Sequence, residues 1–74
     1  MSDEGYCVLL FDSVSSTLLA ERTLKKKGIS HKVIPVPRQI SSDCGVCIRF
    51  RPELREEIVS TLKGAVEFRD ICTL

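Results

Sequence analysis

Apolar and polar residues alternate along this chain with two different periods. Tyr6-Cys7-Val8-Leu9-Leu10-Phe11-Asp12 is a near-continuous apolar run bounded by Gly5 and Ser13. A run this short and this apolar predicts a central strand buried on both faces. Ser13 is a good N-cap, and Val14, Leu18, Glu21, Leu24 and Ile29 follow with approximate helical spacing. Lys25-Lys26-Lys27 and then Gly28 supply the cations and the glycine that end helices, so the first helix is predicted over 14–27. His31-Lys32-Val33-Ile34-Pro35-Val36 predicts a second strand. Pro35 and Pro37 cannot donate ladder hydrogen bonds, which makes it an edge strand. Residues 37–43 form a polar loop. Cys44 to Phe50 predicts a third strand, with Val46, Ile48 and Phe50 on one face and Cys47 and Arg49 on the other. Pro52 opens a second helix, and Glu53, Glu56 and Glu57 lie near the positive end of its dipole. Leu54, Ile58 and Leu62 form its buried stripe, and Gly64 ends it. Residues 65–71 alternate as a fourth strand, with Val66 and Phe68 inward.

Strand, helix, strand, strand, helix, strand, with right-handed crossovers, predicts an α+β fold over one domain, residues 1–74. This is the ferredoxin-like βαββαβ sandwich, an antiparallel four-stranded sheet in the order four, one, three, two. Both helices lie on one face of the sheet. The other face carries Cys47, Arg49, Glu67, Arg69 and one side of strand one, either Cys7, Leu9 and Phe11 or Val8 and Leu10. An exposed apolar stripe there would suit a partner, such as a second copy of the chain in a homodimer.

Composition narrows the function classes. Apolar residues make up 43% of the chain and charged residues 28%, ordinary values for a folded domain. The net charge of +1 gives no electrostatic case for nucleic acid or for an anionic membrane. The longest apolar run is too short to span a bilayer. The acidic start Met1-Ser2-Asp3-Glu4-Gly5 does not resemble a signal peptide, so a cytoplasmic location is expected. In a reducing compartment the four cysteines would be free thiols, catalytic or metal-binding groups rather than disulfide staples.

The chemistry concentrates at Cys44-Gly45. The predicted topology puts the loop before it at the same end of the sheet as the start of the first helix. Strand parity then aims Cys44 at the helix side, near Ser13, Ser15 and Ser16. Free N–H groups and the positive dipole end would stabilise a thiolate there, with Arg38 as a second positive group and Gly45 shaping the backbone. Cys7 and Cys72 fall at the opposite end, roughly 15–20 Å away at about 3.3 Å per strand residue. That separation argues against one metal site using all four thiols, and no cofactor is called for. Cys44-Gly45-Val46-Cys47 has the spacing of a dithiol motif. In an extended strand, however, residues three apart are roughly 10 Å apart, while a disulfide wants its Cα atoms within about 7 Å. Cys47 is therefore either a resolving thiol or a small strand residue. His31 reads as a surface residue, Lys25-Lys26-Lys27 as a dipole complement, and Ser41-Ser42-Asp43 as a turn. With no catalytic triad, Gly-rich phosphate loop or supported carboxylate pair, an ordinary enzyme with its own substrate pocket is not expected.

The run Tyr6 to Phe11, the helix start Ser13–Thr17, Gly28-Ile29, Pro35-Val36-Pro37-Arg38, Ile40-Ser41 and Cys44-Gly45 resemble, over the whole length, a small bacterial family of selenium/sulfur carrier-like proteins. The resemblance implies that Cys44 is the carrier thiol, holding sulfur or selenium as a persulfide-type species, and that the partners are donor and acceptor proteins. Two readings from other classes stand beside it: a noncatalytic dimerisation or protein-interaction module working through the open sheet, and a Cys44/Cys47 dithiol redox protein.

Overall fold

In the computed structural model the described residues are 5–38, 40 and 45–74. The elements are β1 (Cys7–Leu10), α1 (Val14–Lys27), β2 (Lys32–Pro35), β3 (Val46–Phe50), a single 3-10 turn at Pro52–Leu54, α2 (Arg55–Leu62) and β4 (Asp70–Thr73). The sheet order is β2-β3-β1-β4 and every neighbouring pair is antiparallel. This is the expected ferredoxin-like α+β arrangement.

β1 is central, and all four of its residues are buried. Leu9 pairs with Ile48 and Ile71, and Ile48 with Val33, so one apolar row crosses the whole sheet beneath the helices. Cys7, Leu9, Phe11, Ile48 and Phe50 join Ala20, Leu24, Ile58 and Leu62 in the main core. A second, smaller cluster lies on the other face. Val8, Leu10 and Cys47 are buried there, with Ile34, Val36, Ile40, Cys72 and Leu74 packed against them. The exposed stripe expected on strand one is therefore absent: Val8 is 0% and Leu10 4% exposed. Val36, from the end of the predicted second strand, and Ile40, from the predicted polar loop, fold over this face, and Leu74 closes it from the other edge.

α1 has the predicted bounds for the predicted reasons. Ser13 is extended, and its Oγ accepts the Ser16 N–H at 3.1 Å. At the far end Gly28 takes φ +74, its N–H bonds the Lys25 carbonyl, and the Ile29 N–H bonds the Leu24 carbonyl. That is a Schellman end, and its Leu24–Ile29 apolar pair enters the core. The buried face differs from expectation. Thr17, Ala20 and Leu24 face the sheet, whereas Val14 and Leu18 are about half exposed, at 49% and 51%. The Thr17 hydroxyl donates to the Ser13 carbonyl at 3.0 Å, so a polar residue can be buried there.

α2 buries Ile58 and Leu62, with Leu54 half-buried, as the spacing predicts. The fourth strand is shorter and later than expected. The Ala65 and Val66 N–H groups bond the Leu62 carbonyl, so this stretch closes the helix instead of joining the sheet. Val66 and Phe68 still pack into the core, and pairing begins with Asp70 opposite Leu10. The sheet's edges are blunted. β2 exposes Lys32 and Pro35, and the Asp70 carboxylate accepts the Ile71 N–H at 2.8 Å on β4.

Candidate functional site

Register decides which site residues can meet. Ile34 pairs with Cys47, Cys47 with Leu10, and Leu10 with Asp70. The end of β1, the start of α1, the end of β2 and the start of β3 therefore lie at one end of the sheet, as the topology requires.

At that end Ser13 is committed to capping. Its Oγ accepts from the Ser16 N–H and donates to Ser16 Oγ, both at 3.1 Å. Ser15 is exposed and Ser16 half-buried. No acidic residue occupies the first turn of α1, so nothing on that turn offsets its positive dipole end. Arg38 is exposed in a turn closed by the Ile40 N–H on the Pro37 carbonyl at 3.0 Å. Gly45 has φ +83, a left-handed conformation in which glycine is unstrained, and its carbonyl accepts the Val36 N–H at 3.1 Å. Cys44 lies outside the described residues, as do Gln39, Ser41, Ser42 and Asp43.

Strand alternation does not extend through Gly45, because a positive φ turns the backbone out of its two-residue repeat. The parity used to aim position 44 at the helices thus stops at Val46. The described apolar residues of the loop, Val36 and Ile40, pack on the face away from the helices.

Of the other three cysteines, Cys7 and Cys72 are free thiols. Cys47 is 0% exposed, set between Ile34 and Leu10 in the cross-strand row. Cys7 is 3% exposed in the main core, its Sγ 3.9 Å from Thr73 Oγ1. Cys72, on edge strand β4, is half-buried in the open-face cluster. Burial, and then the neighbouring Asp70 carboxylate, push its thiol above the ordinary range. Cys7 and Cys72 both lie toward the end of the sheet away from Gly45, but on opposite faces. Among the described residues no group of three His, Cys, Asp or Glu side chains is set to hold a metal ion. None of the helices there is long and apolar enough to cross a membrane.

Two features escaped the sequence reading. The Arg49 guanidinium stacks 4.4 Å from the Tyr6 ring centroid, with Arg51 at 5.9 Å. Their alternation along β3 and beyond was the available signal. The second is the outward face of α1, where Val14, Leu18 and Leu19 stand half exposed. The clue was that α1 has more large apolar residues than one buried face can use.

Fold and residue chemistry together define a small ferredoxin-like α+β protein whose distinctive side chains are thiols. A family model described as "Putative Se/S carrier protein-like" matches residues 6–72, and the chain belongs to that family. No curated protein and no solved structure matches it.

Proposed function

We propose that this protein carries sulfur or selenium, with Cys44 as the carrier thiol. The observation that carries the reading is the family match across residues 6–72, which spans the Cys44-Gly45 step. Elimination among the thiols supports it. Cys7 and Cys47 are shut away from solvent, and Cys72 is held toward its protonated form, so each of the three makes a poor nucleophile.

In the proposed step the Cys44 thiolate attacks the terminal sulfane atom of a donor persulfide. A bond forms between Cys44 Sγ and that atom, the donor's S–S bond breaks, and the donor's inner sulfur leaves as a thiolate that takes up a proton from water. The exchange is redox-neutral overall, and the same attack by an acceptor thiol on the outer atom unloads the carrier. A selenium cargo follows the same course. Arg38 and the first turn of α1, which carries no acidic residue, are the groups proposed to favour the thiolate. The partners are accordingly a donor and an acceptor protein.

The test is intact-mass and peptide mapping after exposure of the reduced protein to a sulfane donor. One added sulfur atom confined to the Cys44 peptide, and lost in Cys44→Ser, is the expected result. Equal, sluggish labelling of all four cysteines refutes the proposal.

A further inference from the structure

α1 presents two unlike halves to solvent. In its first half Val14, Leu18 and Leu19 are each about half exposed, at 49%, 51% and 49%. Val14 and Leu18 are four apart and adjoin on the helix surface, and Leu18 and Leu19 border one hollow. Ser15, Leu18, Leu19 and Arg22 border a shallow hollow of about 300 Å³. In its second half Arg22, Lys25, Lys26 and Lys27 are all exposed, and Glu21 is the one carboxylate of the helix. The helix spends three of its larger apolar residues on solvent while burying Thr17 and Ala20. The apolar half lies at the Gly45 end of the sheet.

We infer that this face of α1 is a docking surface for a partner protein that presents an apolar knob beside a row of carboxylates, most simply an acidic amphipathic helix. Charge complementarity selects an acidic partner, and the hollow beside Leu18 and Leu19 receives its apolar side chain. A lipid surface fits less well. A membrane-bound helix runs its apolar face along its full length with basic residues flanking it, whereas here apolar and basic residues divide the helix along its axis. Naming the partner as a sulfur or selenium donor or acceptor rests on the carrier reading. The docking surface does not. Its place beside the Gly45 end would bring a docked protein next to the loop that carries the thiol.

The experiment titrates isotope-labelled protein with a synthetic Leu/Glu amphipathic helical peptide. A Leu/Lys peptide and anionic phosphatidylserine vesicles serve as the other arms. Amide shift changes confined to α1 with the acidic peptide are expected. Affinity should fall at least tenfold in Leu18→Glu and in Arg22→Glu/Lys26→Glu, and weaken with salt. Circular dichroism confirms that each variant is folded. Shifts elsewhere, equal response to the basic peptide, vesicle binding in place of peptide binding, or self-association abolished by Leu18→Glu would each overturn the inference. Sulfur uptake from a small-molecule donor should be unchanged in Leu18→Glu. Loss of uptake in the parent protein would sink the carrier reading while leaving the docking result standing.

Discussion

Leu10→Ala tests whether the face of the sheet away from the helices is a sealed core or an open surface. Leu10 is 4% exposed beside Val8 and Cys47, both at 0%. Removing a buried leucine side chain costs about 2–5 kcal/mol, the transfer term plus the cavity left behind. The cover here consists of half-buried residues, chiefly Ile34, Val36, Ile40 and Leu74, which can relax into the space. That places the cost near the low end, about 2–3 kcal/mol. A domain of 74 residues has a total stability of roughly 4–11 kcal/mol, so the variant should still fold. With a urea slope of about 1 kcal/mol per molar for so small a protein, the midpoint should fall by about 2–3 M. Leu18→Ala is the control, because a half-exposed helical site should move stability by no more than about 0.5 kcal/mol. Urea unfolding followed by circular dichroism measures both. If Leu10→Ala shifts the midpoint no more than Leu18→Ala does, the second cluster is not a core, and the open-sheet docking surface returns to consideration.

Other expectations follow from single features. Ser13→Ala removes the acceptor for the Ser16 N–H and should cost about 1 kcal/mol in thermal or urea unfolding, whereas Ser15→Ala should cost nearly nothing. Gly45→Ala meets no atom of the described residues within 4 Å, so its cost of about 1–2 kcal/mol is that of a side chain at positive φ. Gly45→Asn should recover part of it, and equal losses in the two variants would count against the left-handed conformation. Because Cys72 is protonated more firmly in the folded chain than in the unfolded one, stability should hold below about pH 9.0 and decline as pH rises beyond it. Cys72→Ala should lessen that decline in unfolding curves taken at several pH values. Cys47→Ala should leave sulfur uptake at Cys44 intact; loss of uptake, together with a Cys44–Cys47 disulfide in the parent, would favour dithiol chemistry instead.

Much of the architecture was legible in the residues. The six-residue apolar run between Gly5 and Asp12 marks the central strand, and β1 is that strand, although the covering of its second face came only from distant residues. Ser13, the three lysines and Gly28 mark the ends of α1 through local hydrogen bonds that need no tertiary partner. Pro35 and Pro37 place β2 at an edge because a missing N–H is harmful anywhere else in a sheet. Element order and crossover handedness then lead to the strand order. The thiol elimination was less legible. Cys7 sits in the apolar run of β1, but nothing in the sequence distinguishes buried Cys47 from half-buried Cys72, because a cysteine passes equally well for core or surface.

The sequence by itself therefore determined what depends on near neighbours in the chain: the strand runs, the helix caps, the turn glycines and the family to which the chain belongs. Tertiary structure alone decided which faces touch. α1 turns Thr17 and Ala20 to the sheet, because a small residue and an internally bonded hydroxyl allow close approach, and so leaves Leu18 and Leu19 outside. Val66 and Phe68 alternate like a strand yet reach the core from a loop, since burial rewards where a side chain ends up and not how its backbone is bonded. Val36 and Ile40 fold over Val8 and Leu10 because removing that apolar surface from water outweighs the loop's polar neighbours. Periodicity records the local geometry of the chain. Which side of each element is buried depends on residues distant in sequence, and only the assembled fold brings those together.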